Sequence, residues 1–286
     1  MKETQPIPQA YFIGLASYIA AGAFLFIHPA FSAAVLSGFV VICLGAPFFP
    51  GAGIFLPAIR RGGKDSSAVA LTFDDGPDPL TTPFLLNILA RRGVKATFFV
   101  IGRKAEKYPD LMENILRAGH CIGNHTYRHD VFVMAKSGKT LAQEIDLAQE
   151  VFQRFNIRPL AFRPPAGVVG PRLGPLLWER QMVCIHYRCR GPDMGNRRIR
   201  GLSGKILKKI RPGDIVLLHD SCPDPVDFRA DQWLGEIERI LDGISGKGLE
   251  VVPLPELIRR PVMAGAFSHQ STPVRAGIPE GRDGKW

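Results

Sequence analysis

Between Glu3 and Arg60 the chain has no Asp, Glu, Lys or Arg. An uncharged stretch of that length is hard to hide in a water-soluble globule, which excludes an ordinary solvated segment. Cysteine is scarce. The 5 residues (Cys43, Cys121, Cys184, Cys189 and Cys222) show no CxxC spacing, so neither a cysteine-ligated metal site nor a disulfide framework is indicated. Scattered, unpaired thiols fit a reducing compartment. Acid is in deficit, with 26 Asp and Glu against 36 Lys and Arg and a net charge of +10. Lys2 and Glu3 cancel, so the whole surplus falls after residue 59. Such a surplus suits an anionic neighbour: a membrane surface, a phosphorylated substrate or nucleic acid. No zinc-finger, basic-zipper or RNA-binding signature occurs, which argues against nucleic acid.

Met1–Ala10 is a short polar leader with one lysine. Tyr11–Ile27 is then wholly apolar or small, His28–Pro29 interrupts it, and Phe31–Phe49 is apolar again. A bilayer core about 30 Å thick takes roughly 20 helical residues. The two runs therefore read as a transmembrane helical hairpin, with helices at about 11–27 and 31–49 inside a membrane anchor of residues 1–59. A soluble pair of core helices is the competing reading. A cleaved signal peptide fits poorly, because the leader is barely positive and a second apolar run follows. With both helices crossing, both ends lie on one side. Arg60, Arg61 and Lys64 follow at once, and the positive-inside tendency places them, with the domain behind them, at the cytoplasmic face of an inner membrane.

From Ser66 short apolar runs recur at Ala68–Phe73, Ala96–Ile101, Leu160–Phe162, Met182–His186, Ile215–Leu218 and Leu249–Val252. Helical patterns separate them at Thr82–Arg92, Leu111–Ala118, Leu141–Phe155 and Trp233–Leu241. This alternation predicts an α/β fold, a parallel sheet or barrel with helices outside, over residues 66–260. Pro261–Trp286 is rich in Gly, Pro, Ser and charge without periodicity and reads as a loose tail.

Polar clusters stand where these strands stop. The run Leu71–Phe73 ends in Asp74, Asp75, Gly76 and Pro77. Successive residues of an extended chain face opposite ways, so one carboxylate can hold a cation while the other works on a water. Taken alone, the same string is ordinary turn chemistry. His125 and His129, four apart, would share one face of a helical turn and reach one cation. With a carboxylate such as Asp75 they would form a three-ligand site with an open position, as in catalytic zinc. Surface or core histidines also arise at that spacing by chance. Arg163 opens the loop Arg-Pro-Pro-Ala-Gly, which its prolines stiffen and in which Gly167 allows close approach to a ligand. A carboxylate partner suits such an arginine. Asp193 follows the next strand region, and His219–Asp220 ends another, where a satisfied core histidine is the bland alternative. In a parallel barrel, catalytic groups gather at the C-terminal strand ends.

In order, TFDDGP, HTYRH, FRPPAG, the Asp193 segment and LLHD resemble the five motifs of the polysaccharide deacetylases, the NodB-homology domain of carbohydrate esterase family 4. GVKATFFVIG and GHCIGNHTYRH resemble that family as well, and the likeness spans about Ser66 to Pro253. It implies a distorted (β/α) barrel with fewer than eight regular units. It also implies metal-dependent hydrolysis of an N-acyl group, foremost acetyl, on an amino sugar. A divalent cation, commonly zinc, would be held by Asp75, His125 and His129. Asp74 would be the general base and Arg163 would orient it. His219 would be the general acid for the departing amine, supported by Asp193. Leu217 would line the acetyl pocket, a backbone N–H near Ala166 would face the oxyanion, and Thr126 would hold the loop between the histidines.

Two positions depart from the family pattern. Ala166 stands where an aromatic residue is usual, and Met194 follows Asp193 where tryptophan is frequent. Both changes remove aromatic wall around a sugar, which weighs against a polymeric glycan. Between Met194 and Gly213 seven basic residues occur with no acid, among Ile199, Leu202, Ile206 and Ile210 at helical spacing. They make either an ordinary barrel helix with a basic face or a surface for anionic headgroups, worth about 1 kcal/mol per basic residue. The expected partners are a membrane and an amino-sugar-containing glycan or lipid-linked saccharide. Two rivals remain: a deformylase or O-esterase acting on a polyprenyl- or lipid-linked sugar, and an inactive carbohydrate-binding module.

Overall fold

The computed structural model describes residues 7–63 and 67–265. The start of the leader, Lys64 of the basic cluster and the tail beyond Gly265 lie outside the described residues. Two apolar helices come first, α1 (Gln9–Leu25) and α2 (Pro29–Gly45), packed against each other. His28 makes the corner. Its Nδ1 accepts the Ala30 N–H at 3.1 Å, and Pro29 opens α2 where a missing N–H costs nothing. Tyr11, Phe12, Leu15, Tyr18, Ile19, Val41 and Leu44 all face outward, the reverse of a water-soluble helix pair. Pro29–Phe48 is long and apolar enough to cross a membrane, while α1 is shorter, at 17 residues. Both helices stop short of the ends expected at 27 and 49. The corner takes the residues after Leu25, and a 3-10 turn takes Ala46–Phe48.

The domain behind the hairpin alternates strand and helix. In chain order come β1 (Ala68–Asp74), α3 (Thr82–Arg91), β2 (Thr97–Val100), α4 (Gly102–Lys107), α5 (Pro109–Arg117) and β3 (Cys121–Asn124). Next are α6 (Gly138–Gln153), β4 (Ile157–Pro159), β5 (Ala161–Phe162), α7 (Leu173–Glu179), β6 (Val183–Cys184) and β7 (Cys189–Arg190). Last are α8 (Leu202–Leu207), β8 (Ile215–His219), α9 (Ala230–Gly246), β9 (Glu250–Val251), α10 (Leu254–Leu257) and β10 (Met263–Gly265). The strands lie in the order β6-β5-β3-β2-β1-β8-β7, all parallel, and β9 pairs with the start of β1. This is a curled parallel half-barrel with its helices outside.

Strand β1 shows how the barrel presents chemistry. Val69, Leu71 and Phe73 join the outer core with Trp233, Ile237 and Ile240 of α9. Ala68 and Ala70 join a second cluster with Phe99, Cys121, Ala161 and Ile215. Thr72 and Asp74 continue that second face by strand alternation. A strand buried on both sides needs a near-continuous apolar run, and only its last residue can be ionised without loss of core. In the basic segment Leu202, Ile206 and Ile210 are buried in the outer core beside α9, and the seven basic residues are exposed.

The connector after the hairpin belongs to the barrel wall. Ile59 N–H donates to Cys184 O at 2.9 Å, and Ile59 O accepts His186 N–H at 2.7 Å. Gly62 N–H donates to Gly213 O at 2.8 Å, and Arg61 bridges to Asp214. The connector thus runs from the β6 edge to the foot of β8, with Phe55 and Leu56 buried. Backbone pairing along an open sheet edge joins residues 59–62, which precede the expected domain start at residue 66, to the barrel. Residues 261–265, the start of the expected tail, are also part of the fold. Strand β10 pairs antiparallel with β4, and Leu160 and Ala161 N–H both donate to Val262 O.

Candidate active site

Asp75 follows β1 with a φ of 72°. That left-handed turn breaks strand alternation. Both carboxylates of the pair therefore face His125, at 3.8 Å from Asp74 Oδ2 and 3.4 Å from Asp75 Oδ1, instead of pointing to opposite sides. The helical turn expected at His125–His129 is absent. The segment is an irregular loop after β3, with Thr126 (φ 67°) and His129 (φ 60°) left-handed, and this folding brings the imidazoles to 4.8 Å between centroids. Hydrogen bonds hold the loop in shape. Thr126 N–H donates to Asn124 Oδ1 (2.8 Å), His129 N–H to Thr126 Oγ1 (3.1 Å) and Arg128 N–H to buried Glu144 (2.7 Å). Gly102 and Arg103, at the start of α4, donate to the carbonyls of Thr126 and Tyr127.

Asp75 Oδ1 lies 3.1 Å from His129 Nε2, and the facing atoms of Asp75, His125 and His129 all lie within 4.8 Å of one another. Ligands about 2.0–2.2 Å from one tetrahedral ion sit roughly 3.4 Å apart, so this donor set fits a divalent cation. His125 Nδ1 donates to Arg163 O at 2.7 Å, which leaves its Nε2 lone pair aimed at the other donors. Burial, with the neighbouring His125, pushes His129 down to about 4 and keeps it neutral. Burial works against the Asp75 carboxylate, but the hydrogen bond and charge of His125, with His129 and His219, hold it well below the usual range. Burial also opposes charge on His125. The charge of Asp74 and the hydrogen bond and charge of Asp75 outweigh it and raise the imidazole. The field that does this is the one that attracts a cation.

Two charged pairs flank the donors. Arg163, 1% exposed, donates through Nη1 to Asp74 Oδ1 (2.6 Å) and Thr72 Oγ1 (2.8 Å). Its Nε and Nη2 donate to the carbonyls of Ile185 and His186. The Phe99 ring lies beneath the guanidinium, and Gly123 makes room for that ring, since a Cβ there would come within 2.4 Å of it. On the other side His219 Nδ1 meets Asp193 Oδ2 at 2.8 Å. Burial disfavours the imidazolium, but the hydrogen bond and charge of Asp193, with Asp75 and Asp74, push His219 up to about 9. The β1–β8 register sets Asp74 beside His219 and Thr72 beside Leu217, so Leu217 shares their sheet face. Ala166 is exposed at a φ of 55°, just after Pro165.

Other residues at the mouth carry no motif. Buried Asn196 donates from Nδ2 to His219 O and Ser221 O, each at 2.9 Å. Met194, Gly195 and Asn196 are left-handed in succession, and a Cβ on Gly195 would lie 3.7 Å from Asp75 Oδ2. The Asp193 loop therefore passes over the donors. Lys104 Nζ donates to Asp75 O at 2.8 Å. Asp220 is fully buried and accepts from Thr81 and Thr82, and burial pushes it up to about 7 against those hydrogen bonds. The Gly-Asn pair after Asp193 was the one readable signal of a special turn.

The profile of the family described as polysaccharide deacetylase matches residues 61–177. A peptidoglycan-N-acetylglucosamine deacetylase of Bacillus cereus is 33% identical over 198 residues, 68% of this chain and 90% of that protein. The chain belongs to the polysaccharide deacetylase family. A chitooligosaccharide deacetylase of Azorhizobium caulinodans is 32% identical over 200 residues, 67% of this chain and 95% of that one. Among solved structures, the Bc1960 peptidoglycan N-acetylglucosamine deacetylase in complex with an N-oxidanyl-benzamide aligns with a TM-score of 0.65 at 28% identity, covering 72% of this chain and 94% of that one. The fold likeness extends to a CE4 family pseudoenzyme from Bacillus anthracis, with a TM-score of 0.62 at 23% identity over 70% of this chain and 68% of that one. The barrel alone thus does not separate active from inactive polysaccharide deacetylase folds, and the side chains at its mouth carry that distinction. The family hydrolyses N-acetyl amide bonds of carbohydrates and is generally metal-dependent.

Proposed function

We propose that this protein is a membrane-attached hydrolase, dependent on a divalent cation, that removes the N-acetyl group from an amino sugar. One observation carries the reading: an arginine-held carboxylate and an aspartate-paired imidazole stand on either side of a carboxylate–imidazole donor set. Asp75, His125 and His129 would hold the cation, zinc by the chemistry of the donors, which supplies Lewis acidity and eases ionisation of a water. Asp74, fixed by Arg163, accepts the proton of the attacking water. The water oxygen bonds to the acyl carbon, and a backbone N–H beside Ala166 faces the developing oxyanion. The carbon–nitrogen bond breaks as His219 passes its proton to the leaving amine, with Asp193 holding the ring. Acetate and a free amino sugar result. Leu217 offers the acetyl methyl an apolar wall.

The named substrates of the relatives, peptidoglycan and chitooligosaccharides, support an N-acetylated amino sugar as the reacting unit. We favour a lipid-linked saccharide, because the aromatic wall for a polymer is missing at Ala166 and Met194 and an outward-facing apolar hairpin precedes the barrel. Arg60 and Arg61 after the hairpin favour the cytoplasmic face for the domain. The test is acetate release, followed by mass spectrometry, from N-acetylglucosamine oligosaccharides and N-acetylated lipid-linked saccharides, with metal-stripped and zinc-restored full chain. Acetate only in the presence of metal is expected. No product from any substrate, or formate from an N-formyl sugar alone, overturns the reading.

A further inference from the structure

A cavity of about 710 Å³ lies where the hairpin meets the barrel, between α1 and α7. Tyr11, Leu15 and Tyr18 form one wall and Phe55, Pro171 and Pro175 the other, and none of its lining residues is charged. Ligand pockets run about 300–1,000 Å³, so this one is large enough for a lipid chain. Tyr11, Leu15 and Tyr18 are each more than 60% exposed, an arrangement water disfavours and hydrocarbon satisfies.

We propose that this groove holds the apolar chain of the lipid that carries the amino sugar, which makes the hairpin part of the substrate site; the inference rests on the deacetylase reading above. Three observations select a substrate chain over bulk lipid. The wall at Pro171 and Pro175 continues the loop that carries Arg163 and Ala166. Pro171 lies eight residues beyond Arg163, at most about 28 Å along an extended chain. That loop is also fastened to the foot of the hairpin, since Val169 N–H donates to Pro47 O at 3.1 Å, while Ala10 N–H donates to Ile54 O at 2.9 Å. Finally, Ala166 and Met194 remove two aromatic platforms from the sugar's surroundings, which raises the share of binding energy drawn from a remote part of the substrate.

The test uses the full chain in nanodiscs with the methyl and dodecyl glycosides of N-acetylglucosamine as probes. In the wild type, kcat/KM for the dodecyl glycoside should exceed that for the methyl glycoside at least tenfold. Ala10→Trp and Leu15→Trp, which fill the groove from two positions, should bring that ratio near unity, with zinc content as the check on folding. A dodecyl probe bearing a diazirine should label peptides spanning 8–18 and 171–175 in the wild type. A ratio near unity in the wild type, a ratio that survives both substitutions, or labelling confined to α2 overturns the proposal and leaves the groove to bulk lipid or a second copy. Deacetylation of neither glycoside overturns the groove proposal where N-acetylglucosamine oligosaccharides still release acetate, and the deacetylase reading itself where no substrate does.

Discussion

The Arg163 guanidinium donates to Asp74 Oδ1 at 2.6 Å while its carbon lies 3.9 Å from the centroid of the Phe99 ring. Three of its nitrogens are engaged and its flat face is stacked, a geometry lysine cannot copy. Arg163→Lys should lower kcat about 100-fold through misplacement of Asp74. Arg163→Met leaves Asp74 buried without its partner and should cost about 3–5 kcal/mol of stability. Steady-state kinetics and thermal melts check both, and a lysine variant with wild-type turnover would deny the arginine a positioning role.

Asp74→Asn should keep stoichiometric zinc, because Asp75 and not Asp74 approaches both imidazoles. Turnover should fall about 10²–10⁴-fold with loss of the base. Elemental analysis beside kinetics decides the point, and a metal-free variant would exchange the parts assigned to the two aspartates.

His219 stands at about 9 in the fold, above its ordinary value of 6.5, because the Asp193 pair outweighs burial. A raised folded-state value means that stabilisation from this pair is complete below about pH 6.5 and drains away as pH climbs through about 9. Asp193→Asn should move the His219 resonance of metal-free protein back toward the ordinary imidazole range in an NMR titration. The alkaline fall in unfolding free energy should shrink with it. An unmoved titration would show that some other group sustains the imidazolium.

Asn196→Asp should uncouple the Asp193 loop from His219. Aspartate tolerates the same left-handed backbone but cannot donate to the carbonyls of His219 and Ser221. Two lost hydrogen bonds are worth about 1–3 kcal/mol together. We expect kcat to drop about tenfold on that energy scale while KM and zinc content hold. A change in KM alone would mean that the loop serves binding and not the acid.

Removing residues 1–53 should release a soluble domain that still binds zinc, because the connector survives. Removing residues 1–59 also takes Phe55, Leu56 and the Ile59 pairing, and should cost at least about 3 kcal/mol more. Chemical denaturation of the two truncations makes the comparison, and equal stability would reduce the connector to a spacer.

Sequence reasoning reached the elements whose signal is local. Continuous apolar runs announced β1, β2 and β8, and amphipathic spacing announced α3, α5, α6 and α9 within a few residues of their ends. Asp75 was legible because it stands at the end of such a run, and His125 and His129 were legible by their four-residue spacing. What stayed hidden depends on partners distant in the chain. Cys121–Asn124 holds too few residues for a periodicity to form, and it is a strand because β2 and β5 flank it. The helical turn expected of His125–His129 gave way to left-handed residues fixed by Asn124 and Glu144, which no spacing rule foresees. Asn196 and Lys104 act through backbone carbonyls, so their side-chain chemistry does not mark them.

Because Ile59 is a rung of the wall itself, the catalytic mouth has no leash on which to swing. If the hairpin sits in a bilayer, as we propose, the barrel would work at a single standoff from the lipid surface. Sugars delivered at that height would then reach the donor set in turn, while the far reaches of a long polymer would pass out of range.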